Sequence, residues 1–383
     1  MALSPEEYSR YSRHLLLNEV GESGQLFLKN SKVLVVGAGG LGCPALLYLT
    51  AAGVGTIGII DGDAVQESNL QRQIIYTTSD IGKLKATISA CKLKKQNSNI
   101  NFEVYDYPLT TANAHNIIPK YDIIIDGTDN FTARYLINDA CVLWNKPFVH
   151  GSLLKFRGQV AVFNYSKDNF TSKSATYRCI FPTPPLQGSV QNCSEIGVLG
   201  VLPGIIGTLQ AAEAIKIILG IGEPLFDSLL LCNALNMTFD KISIERNEAN
   251  WGDMPRTKEE FLRMDYNFFC GEQHGNIQEI TVEELFALLN TQKIELIDIR
   301  NEEETPSLIS FLPLHYKLKN IPLIQLYSSL ESINRSTKTI IICQSGNRSL
   351  TAVHKLQNEY GYSNLYSLKG GILALIQQNL SSV

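Results

Sequence analysis

The sequence predicts an α/β protein: a doubly wound, mainly parallel sheet with a second, smaller α/β domain. Short apolar, β-branched runs alternate with helical stretches in the first part of the chain, which is typical of a parallel sheet covered by helices. The same alternation begins again near Ile277. A chain of 383 residues has room for two or three domains, and we expect two, over residues 1–271 and 277–383.

The first elements form a βαβ unit. Lys32–Val36 is an apolar run that ends in a glycine-rich turn, a helix is predicted over 44–52, and Thr56–Ile60 forms the next strand. Further along, a helix is predicted over 83–95 and a buried strand over 121–126. Strands that alternate with helices in this way imply parallel pairing.

Composition and charge exclude several classes of protein. Hydrophobic residues make up 44% of the chain and charged residues 18%, the balance of an ordinary globular protein. Lys and Arg total 33 against 37 Asp and Glu, so no global positive field exists to hold a nucleic acid. The 8 cysteines are too sparse for a disulfide framework and the N-terminus lacks a signal-peptide pattern, which favours the cytoplasm.

One apolar stretch, residues 196–222, has the length of a membrane span. Three polar residues recur inside it at helical spacing: Gln210, Glu213 and Lys216. Such a polar stripe is typical of a helix in a soluble protein, and Pro203 with Gly204 should break the run before the helix begins. We therefore predict a core helix over 205–219 and no membrane partner.

The glycine turn satisfies the pattern G-x-G-x-x-G at Gly37, Gly39 and Gly42, with Gly40 between them. Between a strand and a helix, such a turn lets the backbone approach a phosphate, and the helix N-terminus offers unpaired N–H groups. Asp61, at the end of the second strand, can accept hydrogen bonds from ribose hydroxyls. The motif by itself fits NAD as well as ATP.

Cations that follow the second strand favour ATP over NAD. Arg72 and either Lys83 or Lys85 stand shortly after that strand. Such side chains neutralise a triphosphate rather than a nicotinamide pyrophosphate. The chemistry of the residues therefore favours ATP and leaves NAD open.

Several motifs, taken in order, resemble the MoeB/ThiF/HesA family. They are R-Y-S-R-H at 10–14, the glycine turn, D-G-D at 61–63, S-N-L-Q-R-Q at 68–73, G-K-L-K-A at 82–86 and D-G-T-D-N at 126–130. The resemblance continues to about Gly271. It implies a Rossmann-like fold and ATP-dependent adenylation of the C-terminal glycine of a ubiquitin-like sulfur-carrier protein.

The resemblance also implies roles for individual residues. The glycine turn would cradle the phosphates, and the cofactor would also meet Asp61, at its ribose, and Asp63. The triphosphate would be held by Asn69, Arg72 and Lys85. Asp129 would hold Mg²⁺, and Arg13 would reach the ATP site of a neighbouring subunit, so a homodimer is expected.

A structural zinc is not expected, although related proteins carry two C-x-x-C pairs that make a tetrahedral site. Here Cys179 retains one thiol, but Thr176 stands three positions before it and residues 247–253 contain no cysteine. We predict that Cys179 is a small buried hydrophobic residue. A packing role is also predicted for Cys43, Cys91, Cys141 and Cys232.

Cys193 resembles the cysteine of the family's crossover loop, which follows the proline-rich segment. In related activating enzymes such a thiol can take the carrier as a thioester or meet its sulfur in an acyl disulfide. The alternative is a packed loop cysteine. Reactivity requires a lowered thiol pKa, which a sequence does not reveal.

Cys343 stands between a buried strand and a helix, in a loop that continues through Gly346, Arg348 and Ser349. The N–H groups of such a loop can stabilise a thiolate or persulfide anion. The segment resembles the active-site loop of a rhodanese-like domain over residues 277–383. Other family landmarks are D-I-R at 298–300, N-I-P at 320–322 and L-K-G-G-I at 368–372, whereas the usual G-H-I segment is not recognisable in 307–319.

Together these resemblances imply an enzyme that adenylates a carrier ending in Gly-Gly and then supplies sulfur from a Cys343 persulfide to give a thiocarboxylate. The sulfur donor would be a cysteine desulfurase or thiosulfate. The product could belong to molybdopterin, thiamine, tRNA-thiolation or other sulfur chemistry. Two other classes remain as alternatives, an NAD-dependent oxidoreductase and a non-catalytic binding adaptor.

Overall fold

A computed structural model describes residues 2–167, 173–185, 197–270, 278–301, 304 and 318–381 of the chain. The chain forms two compact units, one comprising Met1–Trp251 with Pro255–Met264 and the other Gly252–Met254 with Asp265–Val383. The boundary expected near 271–277 lies outside the described residues and stays a prediction.

The first unit is built on an eight-stranded sheet in the order β3-β2-β1-β4-β5-β6-β7-β8. Its strands are β1 (Lys32–Val36), β2 (Thr56–Ile60), β3 (Asn101–Tyr105), β4 (Ile123–Asp126), β5 (Phe148–Leu154), β6 (Arg157–Phe163), β7 (Ser228–Asn233) and β8 (Thr238–Ser243). Strands β1 to β5 pair in parallel, and β5 to β8 pair antiparallel. The predicted doubly wound, mainly parallel sheet is confirmed.

Helices cover both faces of this sheet, as the alternation of strands and helices predicts. Those described are α1 (Pro5–Arg10), α2 (Ser12–Leu15), α3 (Gly21–Asn30), α4 (Gly42–Ala52), α5 (Lys85–Gln96), α6 (Thr111–Ile117), α7 (Phe131–Leu143), α8 (Tyr177–Ile180), α9 (Val201–Leu219) and α10 (Lys258–Arg263). The central strands are buried because apolar residues occupy both of their faces; Val33, Leu34 and Val35 on β1 are all 0% exposed.

Helix α9 begins at Val201, so the prediction that Pro203 and Gly204 break the run before the helix was wrong. Proline is tolerated in the first turn of a helix, where its missing N–H has no intrahelical partner. This helix is long and apolar enough to cross a membrane by length and composition alone. Its buried Gln210 donates hydrogen bonds to the carbonyl oxygens of Asp126 (2.7 Å) and Val149 (3.1 Å). A polar residue that binds the sheet in this way supports the predicted core helix.

The second unit contains a five-stranded parallel sheet in the order β11-β10-β12-β13-β9. Its strands are β9 (Glu279–Ile280), β10 (Glu295–Asp298), β11 (Leu318–Asn320), β12 (Thr339–Ile342) and β13 (Leu365–Leu368). The described helices are α11 (Tyr266–Phe269), α12 (Val282–Thr291), α13 (Leu323–Leu326), α14 (Asn347–Tyr360) and α15 (Gly371–Ser381). The predicted second α/β domain is confirmed.

The predicted capping box at the start of α12 is also present. The Thr281 hydroxyl accepts a hydrogen bond from the N–H of Glu284 at 3.2 Å, and the Glu284 carboxylate accepts one from the N–H of Thr281 at 2.8 Å. Two N–H groups that the helix cannot pair are thereby satisfied.

Candidate functional site

The glycine turn lies where the strand order reverses, between β1 and its neighbours β2 and β4. The N–H of Gly37 donates to the carbonyl of Ile60 at 2.8 Å, and that of Gly127 donates to the carbonyl of Val36 at 2.8 Å. The carboxyl ends of these three strands therefore meet at one edge of the sheet. In open α/β sheets this point forms the crevice that takes ligands.

Two glycines of the turn are required by close backbone contacts. Gly37 has φ +91°, and a Cβ there would lie 2.8 Å from the carbonyl oxygen of Gly127. A Cβ at Gly42 would lie 1.9 Å from the carbonyl oxygen of Gly37. At Gly39, among the described residues, the only atom within 4 Å of such a Cβ would be Nε2 of Gln73, at 3.6 Å. The turn is thus tight where it meets β4 and open at Gly39, as close approach of a phosphate requires.

Asp61 closes one side of the turn. Its Oδ2 accepts a hydrogen bond from the N–H of Ala38 at 2.7 Å, and its Oδ1 accepts one from the N–H of Asp63 at 2.8 Å. Burial raises the pKa of the Asp61 carboxyl, while the charge of Lys85 and these two N–H groups oppose the rise. The side chain is therefore fixed at the strand end, where the sequence places the ribose.

The predicted phosphate ligands lie around the same crevice. Lys85 is 5% exposed and its Nζ lies 2.8 Å from Oδ2 of the exposed Asp63. The Arg72 guanidinium donates to the carbonyl of Ser68 at 3.1 Å, and a Cβ on Gly40 would lie 3.5 Å from its Cδ.

Two further side chains that the sequence suggested as phosphate ligands differ in burial. Asn69 is buried and accepts the N–H of Gln66 at 3.3 Å. Lys83 is exposed, with Nζ 4.0 Å from the Asp80 carboxylate. Of the two lysines proposed from the sequence, Lys85 is thus the buried one, held in position by an acid.

Asp129 is exposed beyond the end of β4, just before α7. The next residue, Asn130, caps α7 by accepting the N–H of Ala133 at 2.8 Å. A cavity of about 620 Å³ opens beside Asp129 and extends over β5 to β8. Its polar lining includes Asp129, Arg134, Ser152, Gln159, Asn233 and Asp240. The nucleotide crevice therefore adjoins a second space that no motif marks.

Arg134 is the buried cation of this cavity, which Arg157 also lines from an exposed position, and the sequence analysis did not find it. Its side chain is 8% exposed, and its Nε makes no hydrogen bond with any residue that the structure describes. The guanidinium lies over the ring of Phe131, 5.4 Å from the centroid. Its charge helps to lower the pKa of the buried Asp126, but no ion pair to Arg134 is present among the described residues. Arg134 is thus available for an anion that enters beside Asp129.

Behind the cavity, Asp126 and His150 form a wholly buried pair. His150 Nδ1 lies 2.9 Å from Oδ2 of Asp126, and the hydroxyl of Thr128 donates to Oδ1 at 2.7 Å. Burial lowers the pKa of His150, although the hydrogen bond and the charge of Asp126 alone would raise it. Burial alone would raise the pKa of Asp126, but the hydrogen bond from His150 leads a set of effects that lower it.

The ionised Asp126 can only accept, so Nδ1 of His150 carries the proton and Nε2 is an acceptor. The Gln159 amide nitrogen lies 3.4 Å from that Nε2 and donates to it. The amide oxygen of Gln159, whose side chain lines the cavity, is therefore left as an acceptor for a ligand.

Arg13 lies exposed on α2. No hydrogen bond or ion pair ties it to the glycine turn among the described residues of the same chain. Its predicted reach into a neighbouring subunit stays a prediction. Cys193 falls in 186–196, outside the described residues, and its predicted chemistry is likewise untested.

Cys179 is buried, but it is more than the packing residue that the sequence suggested. Its sulfur accepts hydrogen bonds at 3.3 Å from the N–H groups of Thr176 and Asn247 and from the Trp251 indole. Although burial alone would raise the thiol pKa, these donors and the Thr176 hydroxyl lower it. The described residues contain no group of three His, Cys, Asp or Glu able to hold a metal. The absence of zinc stays a prediction.

The other cysteines with a predicted packing role differ in burial. Cys43, Cys141 and Cys232 are buried, as expected, whereas Cys91 is exposed on α5. The prediction for Cys91 was therefore wrong. Its place on the outer face of α5 follows from a helical register that places Ala86, Ala90 and Leu93 inward.

In the second unit, Cys343 follows β12 and is 0% exposed. Its sulfur accepts hydrogen bonds from the N–H groups of Gly346 (3.2 Å) and Ser349 (3.3 Å), and it lies 3.4 Å from the Ser349 hydroxyl. Burial raises the pKa of the Cys343 thiol, Asp253 adds to the rise, and Arg348 opposes it. The loop and the start of α14 thus converge on the sulfur, as the sequence predicted.

The other landmarks of this unit meet around the same loop. The Arg300 guanidinium binds the Asp298 carboxylate at 2.9 Å and donates to the Gln344 amide oxygen at 2.9 Å. The N–H of Ile372 donates to the carbonyl of Cys343 at 3.0 Å. Segments far apart in sequence therefore position the Cys343 loop.

Comparison with known proteins decides the family. Residues 11–252 match the ThiF family, and residues 281–378 match the rhodanese-like domain. The chain belongs to the ThiF family. This ThiF-family chain carries a C-terminal rhodanese-like domain, and both resemblances inferred from the sequence are confirmed.

Relatives match this ThiF-family chain over its whole length or over its first part alone. It is 39% identical to a probable adenylyltransferase/sulfurtransferase MoeZ of Mycobacterium tuberculosis, over 98% of this chain and 95% of the relative. It is 47% identical to a sulfur carrier protein adenylyltransferase of Thermus thermophilus, over 71% of this chain and 99% of the relative. The crystal structure of E. coli MccB with MccA-N7isoASN shares the fold, with a TM-score of 0.55 at 24% identity over 62% of this chain and 72% of that one.

Proposed function

We propose that this chain adenylates the C-terminal glycine of a ubiquitin-like sulfur-carrier protein with ATP and then transfers sulfur to it from a persulfide of Cys343. One observation carries the proposal. A nucleotide crevice with the polar groups of Asp61, Arg72, Lys85 and Asp129, and a cysteine whose sulfur accepts hydrogen bonds from two loop N–H groups, occur in the same chain. The names of its relatives, which include adenylyltransferase/sulfurtransferase, support this pairing of activities.

In the first step, a carboxylate oxygen of the carrier attacks the α-phosphorus of ATP. The bond to the β-phosphate breaks, and pyrophosphate leaves with the electron pair. Negative charge builds up on the transferring group and on pyrophosphate, and fixed cations stabilise it. Arg72 and Lys85 are placed for that role, with Asp63 holding Lys85 in position.

Asp129 would hold Mg²⁺. Its carboxylate is exposed at the strand edge, and Mg²⁺ prefers carboxylate and phosphate oxygens together with water. The ion would neutralise charge on the phosphates when bound. Asn69, the glycine turn and Asp61 would bind and orient the rest of the nucleotide.

The cavity beside Asp129 suits the extended tail of the carrier. A Gly-Gly tail has no side chains, so a narrow channel and backbone hydrogen bonds must recognise it. Gln159 offers an acceptor for a tail N–H, and Arg134 offers a cation for the terminal carboxylate. Both lie within the same cavity as Asp129.

The hairpin of β7 and β8 continues this surface. Every residue of β8 is exposed, and large apolar side chains emerge along the hairpin: Leu235, Met237, Phe239 and Ile242. An exposed apolar strand pair is a docking surface that a folded partner can cover. We assign it to the body of the carrier, whose tail would then enter the cavity.

The second step transfers sulfur. The terminal sulfur of the Cys343 persulfide attacks the acyl carbon of the adenylate, and AMP leaves, so that an acyl disulfide forms. A second thiol then attacks the sulfur of Cys343, which releases the thiocarboxylate and leaves a disulfide for reduction. Cys193 is the candidate for that thiol in this chain. Joining both activities raises the effective concentration of the persulfide.

Pyrophosphate exchange tests the first step. Exchange of labelled pyrophosphate into ATP should require a carrier ending in Gly-Gly and should fall by about 10²-fold or more in Lys85→Ala, because a fixed cation is lost. The neighbouring exposed Lys83→Ala is the matched control and should retain activity. Exchange without carrier would contradict the proposal, as would a melting temperature raised by NAD rather than by ATP.

Three finer points belong to the same proposal. We propose a homodimer in which Arg13 of one subunit serves the ATP site of the other, and mixing Arg13→Ala with Lys85→Ala chains should then restore activity. We propose the cytoplasm as its location. The pathway, molybdopterin, thiamine or tRNA thiolation, follows from which carrier supports exchange.

A further inference from the structure

Asp253 binds the Cys343 loop from the short segment Gly252–Met254, which packs with the second unit. Its side chain is 5% exposed, and its Oδ1 lies 2.6 Å from Nε of Arg348. The Ser345 hydroxyl donates a hydrogen bond to its Oδ2 at 3.2 Å. A carboxylate is therefore seated in the loop whose anion-binding character was predicted from the sequence.

A second carboxylate binds the same arginine. The Arg348 terminal nitrogens donate to the two Glu304 carboxylate oxygens at 2.7 and 2.6 Å. Arg348 thus pairs with two acids at once, so the group of three carries a net charge of −1 when all are ionised. A second arginine beside the loop, Arg300, follows β10 and is bound to Asp298.

This charge balance bears on which sulfur donor the loop accepts. Thiosulfate is a dianion, and it would leave sulfite, a second highly charged anion, beside Cys343. A cation free to pair with it would attract such a donor, whereas a cation already held by two carboxylates would not. At close range in a partly buried site, an unfavourable unit charge is worth about 1.4 kcal/mol, which is a factor of 10 in rate.

We propose that Asp253 determines donor specificity in the proposed sulfur transfer, by occupying the cation of the Cys343 loop and discriminating against dianionic donors. The loop then takes sulfur from a cysteine persulfide on another molecule. Cys343 sulfur attacks the outer sulfur of that persulfide, the donor's S–S bond breaks, and the donor thiol leaves with the electron pair. The proton of one thiol passes to the other, so the exchange involves no net oxidation.

Asp253→Asn tests this inference in the full-length chain, because the amide keeps the shape of the side chain and an acceptor for Ser345. The kcat/KM for thiosulfate should rise about 10-fold, whereas that for cysteine persulfide should change less than about 3-fold. Wild-type activity with thiosulfate should also rise with ionic strength, since salt screens the repulsion, and this rise should be weaker in the variant. A merely structural role would not change that salt dependence.

Two further variants complete the design. Glu304→Gln removes the second carboxylate and should shift the preference in the same direction, which covers the case that Asp253→Asn fails to fold. Glu331→Gln changes an exposed acid of the same unit and should leave both donors unaffected. Equal gains with both donors, or no gain with thiosulfate, would overturn the inference. If wild type accepts sulfur from neither donor, the proposed sulfur transfer itself fails, and Cys343→Ala identifies background activity.

Discussion

The Nδ1 atom of His150 lies 2.9 Å from Oδ2 of Asp126, and both side chains are 0% exposed. This pair joins β4 to β5 directly beneath the proposed tail cavity. Its protonation state controls the tautomer of His150 and hence the orientation of Gln159. Acidification should therefore lower the stability of the first unit and also disturb the orientation of Gln159 in the cavity.

The sign follows from the pKa of each group. Burial lowers the pKa of His150, so the folded protein keeps it neutral while the unfolded chain protonates it near the ordinary value of about 6.5. The pKa of Asp126 is also lowered, so its contribution is present above its ordinary value and is lost as the pH falls toward the folded pKa. Stability should fall below about pH 6.5, at up to roughly 1.4 kcal/mol per pH unit from His150.

Calorimetry at pH 7 and pH 5.5 checks this prediction. His150→Asn should have a lower melting temperature at pH 7, because a buried hydrogen bond is lost, but a smaller decrease between the two pH values than wild type. His115→Asn replaces a partly exposed histidine on α6 and is the matched control. A decrease in His150→Asn as large as in wild type would place the titrating group elsewhere.

Arg134→Gln should reduce activity with the carrier much more than it changes the stability of the protein. Loss of a charge-assisted hydrogen bond to the carrier carboxylate should reduce kcat/KM for the carrier by about 10- to 100-fold, with little change in the KM for ATP. Arg134 makes no ion pair with the described residues, although its charge helps to lower the pKa of the buried Asp126, so its removal should lower the melting temperature only slightly.

The control for Arg134 is Arg157→Gln, which changes an exposed arginine of the same cavity. It should reduce carrier turnover less. If Arg134→Gln changed only the KM for ATP, Arg134 would act on the nucleotide and not on the carrier tail.

The nucleotide crevice was predictable from the sequence because its parts are local. A strand, a turn and a helix within Lys32–Ala52 bring the glycines together, and Asp61 follows the next strand directly. The tail cavity was not predictable, because Arg134 and Gln159 stand on a helix and a strand that only the sheet order places side by side. Asp253 gives no signal either, since it contacts Ser345 across 92 positions of sequence.

Two elements were predicted wrongly, for different reasons. Pro203 was predicted to break the helix because the sequence does not show that it lies in the first turn of α9, where proline is tolerated. Cys179 reads as a hydrophobic residue because a sequence does not reveal that Asn247 and Trp251 turn their N–H groups toward its sulfur.

Cys179→Ala should destabilise the first unit by about 1–3 kcal/mol, because the N–H groups that donate to its sulfur would lose their acceptor. Cys91→Ala, at an exposed position, should cost much less. Addition of a chelator should leave the melting temperature of wild type unchanged, and metal analysis should find no stoichiometric zinc. About one zinc per chain would contradict the prediction.

The Cys343 thiol should ionise at higher pH than an ordinary cysteine, because burial raises its pKa and Asp253 adds to that rise. The rate of alkylation by iodoacetamide, which is uncharged, should therefore have a pH midpoint above the usual value of about 8.5. Asp253→Asn should lower the midpoint, since it removes a nearby negative charge, and Ser349→Ala should raise it, since it removes a donor to the sulfur. Site-specific mass spectrometry separates Cys343 from the exposed Cys91. A midpoint below 8.5 in wild type, or shifts of the same sign in both variants, would show that Asp253 and Ser349 do not act on the thiol as these contacts indicate.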